Sequence, residues 1–295
     1  MDSTTTSPNN RHDALAPGTH EIVVDDVTQR YHVAGSGPVC VVHSGGPGIG
    51  WEYMRMPRVE AALTTVYVEP IGTGESGRLP DHPRGYTLDR YCQFLHGIVE
   101  HLGISTVHLL GHSHGGFVAQ RYALAHPDRV AGMILYGSAA AAGPELFAEA
   151  TRNVEAFARK HEERPETSEI LQTWASIGSI ADDTGYTAVM QRLLPLYFAN
   201  YWGELESLRV SLRAFHVVGG PTPFDNREGL ASIAAPTLVI VGSHDFICGV
   251  RWARELAQGI PAAKLVILEN SGHLGHVEEA ERFARAVTDF VGSPP

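Results

Sequence analysis

The sequence predicts an α/β protein: a mostly parallel sheet covered on both faces by helices, with a helical segment inserted late in the chain. Three observations carry this. From about residue 20, short apolar runs alternate with amphipathic helical stretches. Runs such as PVCVVH at 38–43 are apolar almost throughout, as strands buried on both faces are. Between residues 138 and 231 the alternation stops and a helical pattern takes over, after which strands resume. The chain has 295 residues, 43% of them apolar, which is enough for one large core plus an inserted lid.

The elements follow in order. HEIVVDD and TQRYHVAG form a hairpin that turns near Asp25 and Asp26. PVCVVH and TTVYVEP (64–70) are the next strands. The stretch after Thr87 is a helix capped by that threonine, with Tyr91, Leu95, Ile98 and Leu102 on one face. VHLLG (107–111) is a strand running into FVAQRYALAHP, a helix, and VAGMILYG (130–137) is the sixth strand. In the insertion, Leu146, Ala150, Val154 and Phe157 repeat at helical spacing behind Pro144. PTLVIVGSHD (236–245), VRWARELAQGI, KLVILEN (264–270) and VEEAERFARAVTDFV complete the alternation. The expected organisation is a disordered polar tail over 1–19, an α/β core over 20–137 and 232–295, and a helical cap over 138–231.

Composition narrows the function. A formal charge of −11 argues against nucleic acid, whose phosphates require clustered Lys and Arg. No window approaches ~18 uninterrupted apolar residues, so no membrane partner is expected. The N-terminus lacks the basic start and apolar run of a secretory signal, so the cytoplasm is the expected location. Cys40, Cys92 and Cys248 are far apart and odd in number, which gives no disulfide framework. Sixteen histidines show no metal-ligand spacing, so no metal and no cofactor are expected.

The strongest motif is Gly111-His112-Ser113-His114-Gly115, which follows a buried strand and opens a helix. A G-x-S-x-G turn this tight forces the serine into strained backbone and exposes its hydroxyl at a helix N-terminus. A serine nucleophile needs a base, and the base needs an orienting carboxylate. Asp245 ends its strand, and His273 follows one helix and one strand later, both at the sheet edge that Ser113 occupies. His244 and His276 stand beside these better placed residues and are expected at the surface or behind the site. His43-Ser44-Gly45-Gly46-Pro47-Gly48 supplies a glycine loop whose N–H groups can turn inward. One of them is expected to form an oxyanion hole with the His114 N–H.

With these residues in place the sequence resembles the prolyl aminopeptidase (proline iminopeptidase) branch of the α/β-hydrolases. That branch carries HGGPG where this chain has HSGGPG, and EPIGTGES resembles its D-x-x-G-x-G-x-S stretch, with Glu69 replacing Asp. VVGGPTPFD is similar to its GPNEF segment. The resemblance implies the α/β-hydrolase fold, with Gly45 as the oxyanion glycine. It also implies a substrate amino group held by two glutamates. One would be Glu204 or Glu206, just past an aromatic run; the other would follow the catalytic Asp, where this chain has Phe246. Together with Trp174, Tyr197, Phe198, Tyr201 and Trp202, Phe246 points to an apolar pocket, with Tyr197, Trp202 and Phe246 expected to bind substrate.

The resulting expectation is a serine hydrolase that removes an N-terminal aminoacyl group from an amine or short peptide through an acyl-enzyme. Hydrophobic substrates of the kind met when the family removes aminoacyl protecting groups in natural-product (antibiotic) assembly are included. The alternative keeps Ser113, Asp245 and His273 but cleaves an ester, a lactone or a carbon–carbon bond. A non-catalytic receptor on the same fold is the reading of another class. Epoxide hydrolysis and dehalogenation need Asp at the elbow and are excluded by Ser113.

Overall fold

A computed structural model describes residues 14–180, 182–202, 215–218 and 223–292. The hairpin pairs β1 (Gly18–Val24) with β2 (Val27–Gly35), and Asp25 and Asp26 both take positive φ at its turn. The chain continues through β3 (Val39–His43), the short helix α1 (Pro57–Glu60), β4 (Thr64–Glu69) and α2 (Leu88–His101). Thr87 caps α2 by accepting from the Arg90 N–H at 3.2 Å, an interaction that stabilises a helix by about 1 kcal/mol. Then come β5 (Val107–His112), α3 (His114–Ala125) and β6 (Val130–Tyr136).

The segment after β6 holds β7 (Ala141–Ala142), α4 (Pro144–Lys160), α5 (Thr167–Ala175), α6 (Asp183–Leu193) and β8 (Phe224–Asp225). The two-residue strands β7 and β8 pair antiparallel and tie its two ends together, a ribbon too short to leave a periodicity in sequence. The core closes with β9 (Thr237–Gly242), α7 (Val250–Gly259), β10 (Lys264–Leu268), α8 (Gly275–Glu278) and α9 (Ala280–Gly292).

Eight strands form one sheet in the order β1-β2-β4-β3-β5-β6-β9-β10, parallel from β4 onward. Successive side chains of a strand point to opposite faces, and the core divides accordingly. Val41, Leu109, Leu135 and Val239 pack with α2, α3 and α7 on one face. Val42, Leu110, Ile134 and Ile240 pack with Val59 of α1 and with Phe283 and Val287 of α9 on the other. Both faces being covered explains why β4 and β9 are buried at every position.

Part of the stretch assigned to the tail belongs to the folded body. Ala14 is buried and its carbonyl accepts from the Tyr31 hydroxyl at 2.9 Å, while β1 starts at Gly18; residues 1–13 lie outside the described residues. Among the described residues no helix is long and apolar enough to cross a membrane.

Candidate active site

Parallel strands bring their C-terminal ends to one edge of a sheet, and the turns after β3, β5, β9 and β10 gather there. Ser113 caps α3 with φ 53° and ψ −117°, a strained conformation for a residue bearing a side chain. Three hydrogen bonds hold it: its N–H to the Tyr136 carbonyl at 2.8 Å, and its carbonyl accepting from Gly116 N–H and the Ser138 hydroxyl at 2.9 and 3.0 Å. No described residue hydrogen-bonds its hydroxyl. As the first residue of α3, His114 has an N–H with no acceptor inside the helix.

His273 and Asp245 meet as the chain order implies. His273 Nδ1 donates to Asp245 Oδ2 at 2.7 Å, and Asp245 Oδ1 accepts from the N–H groups of Ile247 and Cys248 at 3.0 and 2.9 Å. With three donors the buried carboxylate has a fixed direction, which in turn fixes the imidazole and leaves Nε2 as its basic nitrogen. The His273 main chain is held on both sides. Its N–H donates to the Tyr197 carbonyl at 2.8 Å, and its carbonyl accepts from His112 Nε2 and the Tyr136 hydroxyl, each at 3.0 Å. A strained serine at a helix N-terminus and a carboxylate-oriented imidazole, both on turns at the same edge of the sheet, are the parts that acyl-enzyme chemistry uses.

A buried polar group behind this pair went unseen in the sequence. Tyr53 accepts from the Gly45 N–H at 2.7 Å and lies 2.6 Å from His112 Nδ1. His276 Nε2 donates to the Tyr53 carbonyl at 2.8 Å. His276 is thus behind the site, while His244 is exposed. Burial lowers His276 to about 4 and holds His112 well below the ordinary imidazole value, so both are neutral hydrogen-bonding groups at pH 7. Tyr53 is marked only by contacts with Gly45, eight residues upstream, and with His112, and no spacing rule signals those. The Gly45 N–H, expected to face substrate, is therefore occupied by a hydroxyl.

The expected substrate-binding residues separate. Tyr197 stands beside the site, its ring 5.6 Å from that of His273. Phe246 is 5% exposed and joins the apolar cluster of the insertion with Trp174, Val154 and Leu196, so it fastens core to cap. Trp202 packs against Phe157, His161 and the Arg164 guanidinium, because an indole face favours ring and cation contacts. Glu204 and Glu206 lie outside the described residues.

The insertion also covers the glycine loop. Ile49 bridges Phe215, His216 N–H donates to the Gly48 carbonyl at 2.8 Å, and the Tyr186 hydroxyl donates to the Pro47 carbonyl at 3.3 Å. Gly48 has φ +81°, and a Cβ there would collide with the His216 carbonyl. Among the described residues no cluster of three or more His, Cys, Asp or Glu is placed to hold a metal ion.

Comparison with known proteins agrees with this architecture. The chain is 32% identical over 271 residues to a 2-hydroxy-6-oxononadienedioate/2-hydroxy-6-oxononatrienedioate hydrolase of Cupriavidus pinatubonensis, covering 88% of each. It is 27% identical to a proline iminopeptidase of Saccharolobus solfataricus, over 88% of this chain and 87% of that one. A hydrolase structure from Pseudomonas aeruginosa superposes with a TM-score of 0.70 at 25% identity, covering 94% of this chain and 100% of the other. The alpha/beta hydrolase fold family matches residues 38–280. The chain belongs to the α/β hydrolase family.

Proposed function

We propose that this chain is a serine hydrolase that breaks a carbon–carbon bond beside a ketone, in an acid of the 2-hydroxy-6-oxo-dienoate type. The relatives named for such acids support the substrate class. A 6-oxo carbon carries no heteroatom leaving group, so hydrolysis there must break a carbon–carbon bond. Ser113 Oγ adds to the ketone carbon while His273, oriented by Asp245, takes its proton. For this the dienol first becomes its ketone, losing the C2 hydroxyl proton and gaining one at C5; the C5–C6 bond then breaks, and its electron pair is delocalised through C3=C4 to the C2 oxygen. Protonation releases the first product, and water, activated by His273, hydrolyses the acyl-enzyme to a carboxylic acid.

One observation carries this reading over amide hydrolysis. The position after Asp245 is filled by Phe246, locked among Trp174 and Tyr197 at ring separations of 5.7 and 5.1 Å. An ammonium group held there would have no carboxylate from this position, and a buried unpaired charge costs several kcal/mol. The second reading, removal of an N-terminal aminoacyl group, is favoured by HSGGPG and by the iminopeptidase relative, with Glu204 or Glu206 as the amine partner. A panel of 2-hydroxy-6-oxo-dienoates with alkyl or aryl groups at C6, run against prolyl and other aminoacyl arylamides, separates the two. The proposal expects kcat/KM to favour the ketones by ~10² or more, about 2.7 kcal/mol of transition-state discrimination. Preference for free-amine arylamides, lost on N-acetylation, would install the second reading.

A further inference from the structure

The hydrogen-bond directions around Tyr53 follow from one fixed acceptor. The His273 carbonyl oxygen can only accept, so His112 Nε2, 3.0 Å away, carries the imidazole proton. His112 Nδ1 is then a lone pair, and the Tyr53 hydroxyl 2.6 Å away donates to it. Tyr53 Oη in turn accepts the Gly45 N–H at 2.7 Å. The chain of bonds runs from Gly45 through Tyr53 and His112 to the main chain of His273.

This network stands at the reacting atoms. Tyr53 Oη, Ser113 Cβ and His112 Nδ1 lie 3.0, 3.1 and 3.3 Å from the single point that a Cβ on Gly45 would occupy. An oxyanion bound directly by the Gly45 N–H would have to sit where the tyrosine hydroxyl already sits. The hydroxyl cannot retreat freely, since the Tyr53 carbonyl is tied to His276 at 2.8 Å and the side chain is 6% exposed.

We propose that the Tyr53 hydroxyl is the second oxyanion donor of this site, beside the His114 N–H, and that Gly45 acts through it. When the tetrahedral adduct forms on Ser113, the Tyr53 O–H turns from His112 Nδ1 to the oxyanion. The Gly45 N–H remains on Tyr53 Oη, and no proton changes owner. The exchange is favourable because an oxyanion is a stronger acceptor than a neutral imidazole nitrogen. The bond from Gly45 also polarises the hydroxyl, making it a better donor. The proposal rests on Ser113 as nucleophile, and it holds whichever carbonyl substrate the enzyme takes.

The test compares diethyl 4-nitrophenyl phosphate with its thiono counterpart, in which sulfur, a poor acceptor, replaces the oxygen that enters the oxyanion site. Inactivation is followed by 4-nitrophenolate release and by the mass added to Ser113, in wild type and Tyr53→Phe. The oxygen compound is expected to react ~10²-fold more slowly in Tyr53→Phe, and the sulfur compound to change by less than about threefold. Equal slowing of both would make Tyr53 merely structural, and faster inactivation would make it a plug; either result overturns the proposal. No adduct on Ser113 in the wild type would remove the nucleophile reading and the proposal with it. Should Tyr53→Phe not fold, 3-fluorotyrosine at position 53 keeps the contacts and sharpens the donor. The oxygen-to-sulfur preference must then shift, and an unchanged preference overturns the proposal.

Discussion

Phe246 stands edge-on to Tyr197, their ring centroids 5.1 Å apart, and Tyr197 holds the His273 N–H by its carbonyl oxygen at 2.8 Å. Packing of the insertion and placement of His273 are therefore one contact chain. Phe246→Ala empties a site filled from both core and cap, and such truncations cost about 3–5 kcal/mol. Urea unfolding should show that loss, with kcat falling as His273 loses its backing. Unchanged stability would separate Phe246 from the seam.

Gly48→Ala tests the other seam. At φ +81° a side chain is strained by about 1–3 kcal/mol, and the new methyl also collides with the His216 carbonyl. The expected result is a lower Tm and faster proteolytic cleavage near residues 215–218. A variant as resistant as wild type would show that the loop and the insertion do not dock.

The buried histidines set an acid limit. Burial lowers His43 and His276 from 6.5 to about 4. Unfolded, both titrate near 6.5, so the unfolded chain binds more protons between those values. Their contribution is fully present above pH 6.5 and is lost as pH falls towards about 4, at up to about 1.4 kcal/mol per pH unit each. Unfolding free energies of His276→Gln should fall less steeply with acid than those of wild type. Parallel curves would mean His276 is not held neutral.

Ser113→Ala should abolish labelling by fluorophosphonates and lower kcat by ~10⁴ to 10⁶. Thermal unfolding of the same variant should stay within about 1 kcal/mol of wild type, or rise as backbone strain shifts. Near-normal turnover would displace Ser113 from its proposed role.

The strand and helix alternation was legible because strands buried on both faces read as continuous apolar runs and the helices between them keep a period of 3.6. Thr87, Pro144 and the Asp25–Asp26 turn were legible because local backbone chemistry fixes them. The pairing of Asp245 with His273 followed from topology, since parallel strands deliver their ends to one edge. What stayed hidden depends on contacts between distant segments. Tyr53 meets His112 across 59 positions, and His276 meets Tyr53 across 223. The engagement of Gly45 could not be read from a glycine loop, because the loop shows which N–H groups can turn but not what meets them. The neighbours of Trp202 stayed hidden for the same reason: an aromatic run does not tell that its ring meets Phe157 and Arg164.

The most direct test of the central claim is rapid-quench mass spectrometry with a 2-hydroxy-6-oxo-6-aryl-dienoate. Wild-type protein should gain the mass of the aroyl group on the peptide carrying Ser113, at a rate that matches loss of the dienoate, and should release the aryl carboxylic acid. Cleavage without any adduct on Ser113, or an intact ketone under conditions where aminoacyl arylamides acylate Ser113, would contradict the account.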